Sequence, residues 1–197
     1  TASAPRSRIQ VWFAARTPWQ RRGLAVAAGA LATLGHAPFQ VTLAFVAAVV
    51  VLVWLLDVSA TKDQRLRSAF SIGWFFGLGH FATGLYWHFV DVVWVLIFTI
   101  VYTYYSQEFT PLRAVPPTGP PALLSGRTLA LAAGLALFFG LGAVLAMLLW
   151  TNDVRRIAAF TIGVFVSEWL RGHVLTGLPW LMPAYVWAPG EPISQLA

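Results

Sequence analysis

Residues 39–56 read FQVTLAFVAAVVVLVWLL, an unbroken apolar run in which no side chain is charged. A helix rises about 1.5 Å per residue and the hydrocarbon core of a bilayer is about 30 Å thick, so a span needs about 20 such residues. This stretch approaches that length, and its reading decides the fold class. On its N-terminal side, Gly35-His36-Ala37-Pro38 closes a shorter, Ala-rich run over 23–34. On its C-terminal side come Lys62, Arg65 and Arg67, and then three further apolar stretches at 69–105, 128–150 and 157–170. The predicted fold is all-α: a polytopic transmembrane helix bundle of about five spans. A basic lead-in (1–22) precedes it, a Pro-rich loop (106–127) interrupts it, and a segment over 171–197 follows the last span.

Composition points the same way. Hydrophobic residues make up 58% of the 197 and charged residues only 10%, whereas a soluble domain carries about a quarter of its residues as charges. Ten Trp, fourteen Phe and five Tyr add the aromatic weight of membrane interfaces. The net charge of +6 comes from Arg clusters set between apolar runs, which argues against nucleic acid as a partner. With no Cys, disulfides, thiolate metal sites and a cysteine nucleophile are excluded. There is no His-x-x-x-His pair, no Gly-rich phosphate loop and no Ser/His/Asp arrangement of recognisable spacing. No cofactor, no metal site and no catalytic residue are therefore expected.

Lys and Arg set the predicted orientation. Arg6, Arg8, Arg16, Arg21 and Arg22 precede the first run, Lys62, Arg65 and Arg67 follow the second, and Arg155 and Arg156 precede the last; these are ten of the thirteen basic residues. Placing these three segments in the cytoplasm makes the N-terminus cytoplasmic, the C-terminus periplasmic and the number of crossings odd. Thr1 to Arg22 lacks an apolar core with a cleavage site, so it reads as a lead-in and not as a cleaved signal. The 69–105 stretch is too long for one perpendicular span. Two crossings there would carry Arg155-Arg156 to the outer side, so one long or broken helix is predicted. Pro at 111, 116, 117, 120 and 121 makes 106–127 an irregular loop.

Two polar pairs stand at helical spacing. Glu168 and Arg171 share one face near the end of the last run; they read either as a polar site at the membrane surface or as an ion pair that lets a helix end carry charge beside lipid. His88 and Asp91 are likewise three apart and read as a proton-handling or a structural pair. His80, among Gly73, Gly77 and Gly84, reads as a hydrogen-bonded residue on a close-packing face, with haem ligation or proton relay as the alternatives.

The string Glu168-Trp169-Leu170-Arg171-Gly172-His173-Val174-Leu175-Thr176-Gly177-Leu178-Pro179-Trp180, continued by Ala184 to Pro189, resembles the apolipoprotein N-acyltransferase family. Gly73 to Gly77, Thr83 to Trp87 and Ala37-Pro38-Phe39 are similar to other parts of it. That resemblance implies a multi-pass protein of the bacterial inner membrane that moves an acyl chain from membrane phospholipid to a lipoprotein N-terminus. It also implies that Glu168, Arg171, His173, Thr176, Pro179 and Trp180 shape a lipid- or substrate-facing rim. The family's chemistry resides in a periplasmic nitrilase-like domain with a Glu, Lys and Cys triad, and no Cys is present here. The expectation is thus a lipid-binding or anchoring module whose catalytic domain is separate or missing. Residues 85–102, by contrast, resemble the last helix of subunit III of haem–copper oxidases. This implies the alternative of a non-catalytic accessory subunit of a respiratory oxidase complex, with His88 and Asp91 as its polar pair.

Overall fold

The structure is a computed structural model that describes residues 8–36, 39–61, 63–105 and 126–174, with the side chains of 87–105 and 126–128 outside that description. Among the described residues it is all helical, with no strand. The six helices are α1 (Arg8–Ala14), α2 (Pro18–Thr33), α3 (Thr42–Ala60), α4 (Arg65–Tyr105), α5 (Gly126–Leu148) and α6 (Arg155–Val174).

Capping chemistry starts α2 ahead of the apolar run that begins at Gly23. Thr17 Oγ1 accepts the Gln20 N–H at 3.2 Å, the Gln20 side chain accepts the Thr17 N–H at 3.0 Å, and Pro18 takes the first helical position. The reciprocal bonds satisfy donors that a helix start leaves orphaned, and proline's fixed φ suits that position. Part of the basic segment is therefore helical. Within it, α1 buries Phe13 against Trp54 of α3, with ring centroids 5.8 Å apart. The α2–α3 corner is tight: Val41 N–H bonds to Leu34 O at 2.8 Å, and Gln40 holds a positive φ of 49°.

Successive long helices reverse direction. Arg22 Nε donates to Ser71 Oγ at 2.9 Å, and Thr33 Oγ1 donates to His80 O at 3.1 Å, so α2 and α4 run the same way. Ser68 Oγ meets Ser59 Oγ at 2.9 Å across the α3–α4 corner. At the same end Asp57, near the C-terminus of α3, accepts from Gln10 of α1 (3.1 Å) and from the Trp150 indole (3.3 Å), and pairs with Arg156 of α6 (3.6 Å). The three basic segments named above therefore share one end of the bundle. Thr33, His36, His80 and the Glu168–Arg171 pair occupy the other.

Small residues line the interior. Ala25, Ala28, Ala32, Ala48, Ala69, Ala132, Ala136 and Ala159 are all buried. Gly29 and Gly79 mark the closest approach: a Cβ on Gly29 would fall on the Phe76 carbonyl oxygen, and one on Gly79 would fall on that of Val26. The exposed faces are large and apolar, with Leu43 and Val46 on α3, Leu137 and Leu141 on α5, and Ile162 and Phe165 on α6. Small residues inside and bulky aliphatics outside suit a bundle packed within hydrocarbon, where helices associate by close van der Waals fit.

Length and hydropathy single out two candidate membrane spans among the described residues, Thr42–Ala60 with mean hydropathy 2.5 and Leu129–Leu148 with 2.3. This is fewer than the five runs expected from the sequence. The physical reason is visible in the others: α2 has 16 residues and opens on Arg21 and Arg22, while α6 carries Arg155, Arg156, Glu168 and Arg171. The 41 residues of α4 make it about 60 Å long, twice the hydrocarbon thickness.

Candidate functional site

At the end of α6, Arg171 and Glu168 lie one turn apart on the face turned inward, and they are only 1% and 8% exposed. Arg171 Nε donates to Glu168 Oε1 at 3.3 Å and its Nη2 donates to Oε2, a two-point fork. Such a planar match fixes orientation as well as charge. The guanidinium carbon lies 5.4 Å from the ring centroid of Phe81 on α4, which adds a cation–π contact and ties the end of α6 to α4. One turn back, Ser167 Oγ donates to the Phe138 carbonyl of α5. Close packing makes this possible, since a Cβ on Gly142 of α5 would come within 2.9 Å of Ser167 Cβ.

Beside the pair, Leu52 and Leu56 of α3, Gly142 and Ala143 of α5, and Val164 and Glu168 of α6 enclose an apolar recess of about 10 Å³. That volume holds one water at most, so the recess admits no acyl chain without helix movement. His173 lies on the outer face. Its ring stacks on Trp169 with centroids 4.4 Å apart, and its Nδ1 is 2.7 Å from the Trp169 carbonyl oxygen. The structure thus brings Glu168 and Arg171 together and sets His173 apart from them. Thr176, Pro179 and Trp180 lie outside the described residues. His88 and Asp91 are helical positions of α4 whose side chains lie outside the description.

His80 is buried on the packing face. Thr33 Oγ1 is 3.4 Å from its Nδ1, and its ring lies 5.1 Å from that of His36 and 5.9 Å from Phe139. Among the described residues no group of three or more His, Asp or Glu is placed to hold a metal.

Sequence reasoning passed over Asp57. It is the one acid within α3 and the first in the chain, and an acid at the end of an apolar helix is itself a signal of a polar partner. It gathers donors from α1, the exit of α5 and the start of α6.

Alanine and glycine inside, large aliphatics outside and a buried ion pair at the end of the last helix define a membrane-type helix bundle. The family model described as the apolipoprotein N-acyltransferase N-terminal domain matches residues 28–116 and 92–197, and the chain belongs to this family. The two ranges overlap, so the 85–102 stretch with its oxidase-like pattern lies inside the acyltransferase match. Similar relatives, each named apolipoprotein N-acyltransferase, come from Rhodopseudomonas palustris (38% identical, 89% of this chain and 28% of that protein), Brucella melitensis (35%, 90% and 30%) and Rhizobium etli (36%, 91% and 30%). The chain thus spans less than a third of the length of these relatives.

Proposed function

We propose that this chain is the multi-pass inner-membrane module of an apolipoprotein N-acyltransferase, with its α1 end in the cytoplasm. In this reading it seats phospholipid at the end of α6, where an acyl chain is passed on to a lipoprotein. The observation that carries the reading is the buried Glu168–Arg171 fork, set within a range that the family model matches. Each residue has a distinct part. Glu168 and Arg171 neutralise each other, so the end of α6 can stay packed against α4 in a low-dielectric setting. They are positioning residues. Trp169 and His173, stacked on the outer face, are the groups offered to a lipid headgroup, and Thr176, Pro179 and Trp180 extend that rim. The acyl-transfer chemistry belongs to a catalytic domain acting beside this module. The alternative, an accessory subunit of a respiratory oxidase, rests on the resemblance of residues 85–102 alone.

The test is phospholipid retention measured by native mass spectrometry on the purified protein. An Arg171→Ala, Trp180→Ala double variant is expected to lose bound phospholipid relative to the unaltered chain. Equal retention would remove the basis for the rim. In a hybrid, residues 28–197 replace the matching region of the Brucella melitensis relative. It is expected to N-acylate lipoprotein, and to lose that activity with Arg171→Ala.

A further inference from the structure

The end of the bundle opposite the Glu168–Arg171 pair carries a second surface that the acyl-transfer reading does not use. No acidic residue occurs before Asp57, while Arg6, Arg8, Arg16, Arg21 and Arg22 all fall in that stretch. The structure describes α1 and α2 within this segment. Phe13 faces Trp54 and Gln10 bonds to Asp57, so α1 is folded back onto the end of the bundle. Its other face is open: Ile9, Val11 and Trp12 are exposed, and Trp12 keeps 47% of its surface. Trp19, at the start of α2, keeps 71%.

Two arginines lie over these exposed indoles, Arg16 at 4.0 Å from the Trp12 ring and Arg22 at 4.6 Å from the Trp19 ring. The result is a repeated unit of indole and guanidinium at the surface. Charge bookkeeping separates these arginines from the two at the start of α6. Arg155 pairs with Asp153 at 2.8 Å and Arg156 with Asp57 at 3.6 Å. Arg8, Arg16, Arg21 and Arg22 form no salt bridge with a carboxylate among the described residues; Arg22 donates only to the neutral Ser71 hydroxyl. This half of the end therefore presents cationic groups whose charge no carboxylate among the described residues cancels, between indoles of the kind that settle at headgroup depth.

We infer that the α1–α2 surface binds the anionic phospholipid headgroups of the adjoining leaflet, with Arg8, Arg16, Arg21 and Arg22 taking the phosphates and Trp12 and Trp19 lying among the headgroups. The inference rests on the membrane-module reading and adds to it a lipid site at the end away from the acyl-transfer rim. Charge complementarity selects the occupant, and the exposed apolar side chains on the same face select a lipid over a soluble anion.

The full chain is purified, exchanged into an equimolar mixture of phosphatidylglycerol and phosphatidylcholine, and its retained lipid quantified. Phosphatidylglycerol is expected to dominate, and the preference to fall as salt is raised. An Arg8→Gln, Arg16→Gln, Arg21→Gln variant is expected to lose preference by about five-fold per arginine removed. Arg155→Gln, Arg156→Gln is expected to change it far less, because those charges are already paired. In nanodiscs, brominated phosphatidylglycerol is expected to quench fluorescence in the unaltered chain more than in Trp12→Phe, Trp19→Phe. Three results overturn the inference: retention of both lipids without preference, an undiminished preference in the triple variant, or equal losses in the triple and the Arg155, Arg156 variants. A chain that retains no phospholipid overturns both this inference and the membrane-module reading, whereas retention without preference overturns only the former.

Discussion

The α2–α4 contact makes a sharp prediction, because the same chemical change should have opposite effects at two glycines. At Gly29 a new methyl group would fall on the Phe76 carbonyl oxygen, with the His80 backbone nitrogen at 2.9 Å behind it. These are backbone atoms of a helix and cannot rotate away, so α2 and α4 must separate. Overpacking of this kind costs about 1–3 kcal/mol. Separation also stretches the 3.1 Å bond from Thr33 Oγ1 to His80 O, a bond worth about 1 kcal/mol. Against this stands the helix-propensity gain of alanine over glycine, about 1 kcal/mol. Gly29→Ala is therefore expected to destabilise the bundle by about 1–3 kcal/mol. At Gly134 in α5 nothing lies within 4 Å of the new Cβ, so only the propensity gain remains and Gly134→Ala is expected to be neutral or stabilising. The assay is reversible unfolding in mixed micelles followed by tryptophan fluorescence, with Gly79→Ala as a second close-contact case. Stabilities for Gly29→Ala and Gly134→Ala within about 0.5 kcal/mol of each other would refute the close approach of α2 and α4.

The buried fork predicts a double-mutant cycle. Arg171→Met strands a buried carboxylate and is expected to cost about 3–5 kcal/mol, while Glu168→Leu, Arg171→Met together recover most of it; additive single effects in the same unfolding assay would contradict the pairing. Absence of Cys makes single-cysteine labelling clean: Arg8→Cys, Asp63→Cys and Thr151→Cys are expected to react from one side of sealed vesicles and Phe39→Cys from the other, and any other pattern breaks the up-and-down order. The Asp153 carboxyl is held well below the usual carboxylate range by the Arg155 side chain, the Thr151 hydroxyl and the Arg155 backbone N–H. Its contribution to stability is therefore full above the ordinary unfolded value, about 3.9, and is lost as pH falls through the lower folded value. Thermal melts of the unaltered chain and of Asp153→Asn should differ at neutral pH and converge in strong acid; a constant gap would exclude the linkage.

Helix content is legible because runs such as 39–56 leave no other structure. The start of α2 is also written in the sequence, since Thr17-Pro18 with Gln20 three residues after Thr17 is a capping box. Glu168 and Arg171 were legible as neighbours from their spacing alone. That their pair turns inward beneath Phe81 was not, because residues far apart in sequence meet only through packing. His173 shows the same limit: one turn from Trp169, it stacks there on the outer face and stays away from Arg171. The number of spans resists hydropathy because α2 is short and carries Arg21 and Arg22 in its first turns, and α6 carries charge at both of its ends.

Asp57 and Glu168 mark the two ends of the bundle by different kinds of bond. Asp57 receives from three separate segments, so α1, the exit of α5 and the start of α6 are held through a single carboxylate. Glu168 is held by Arg171 of its own helix, and that fork meets α4 at Phe81. Both ends are tied across helices, the basic one through the Asp57 carboxylate and the other through Ser167 on the Phe138 carbonyl and Thr33 on the His80 carbonyl. The recess between α3, α5 and α6, too small for an acyl chain as it stands, borders the Glu168 end, so a chain could enter there only if the helices moved.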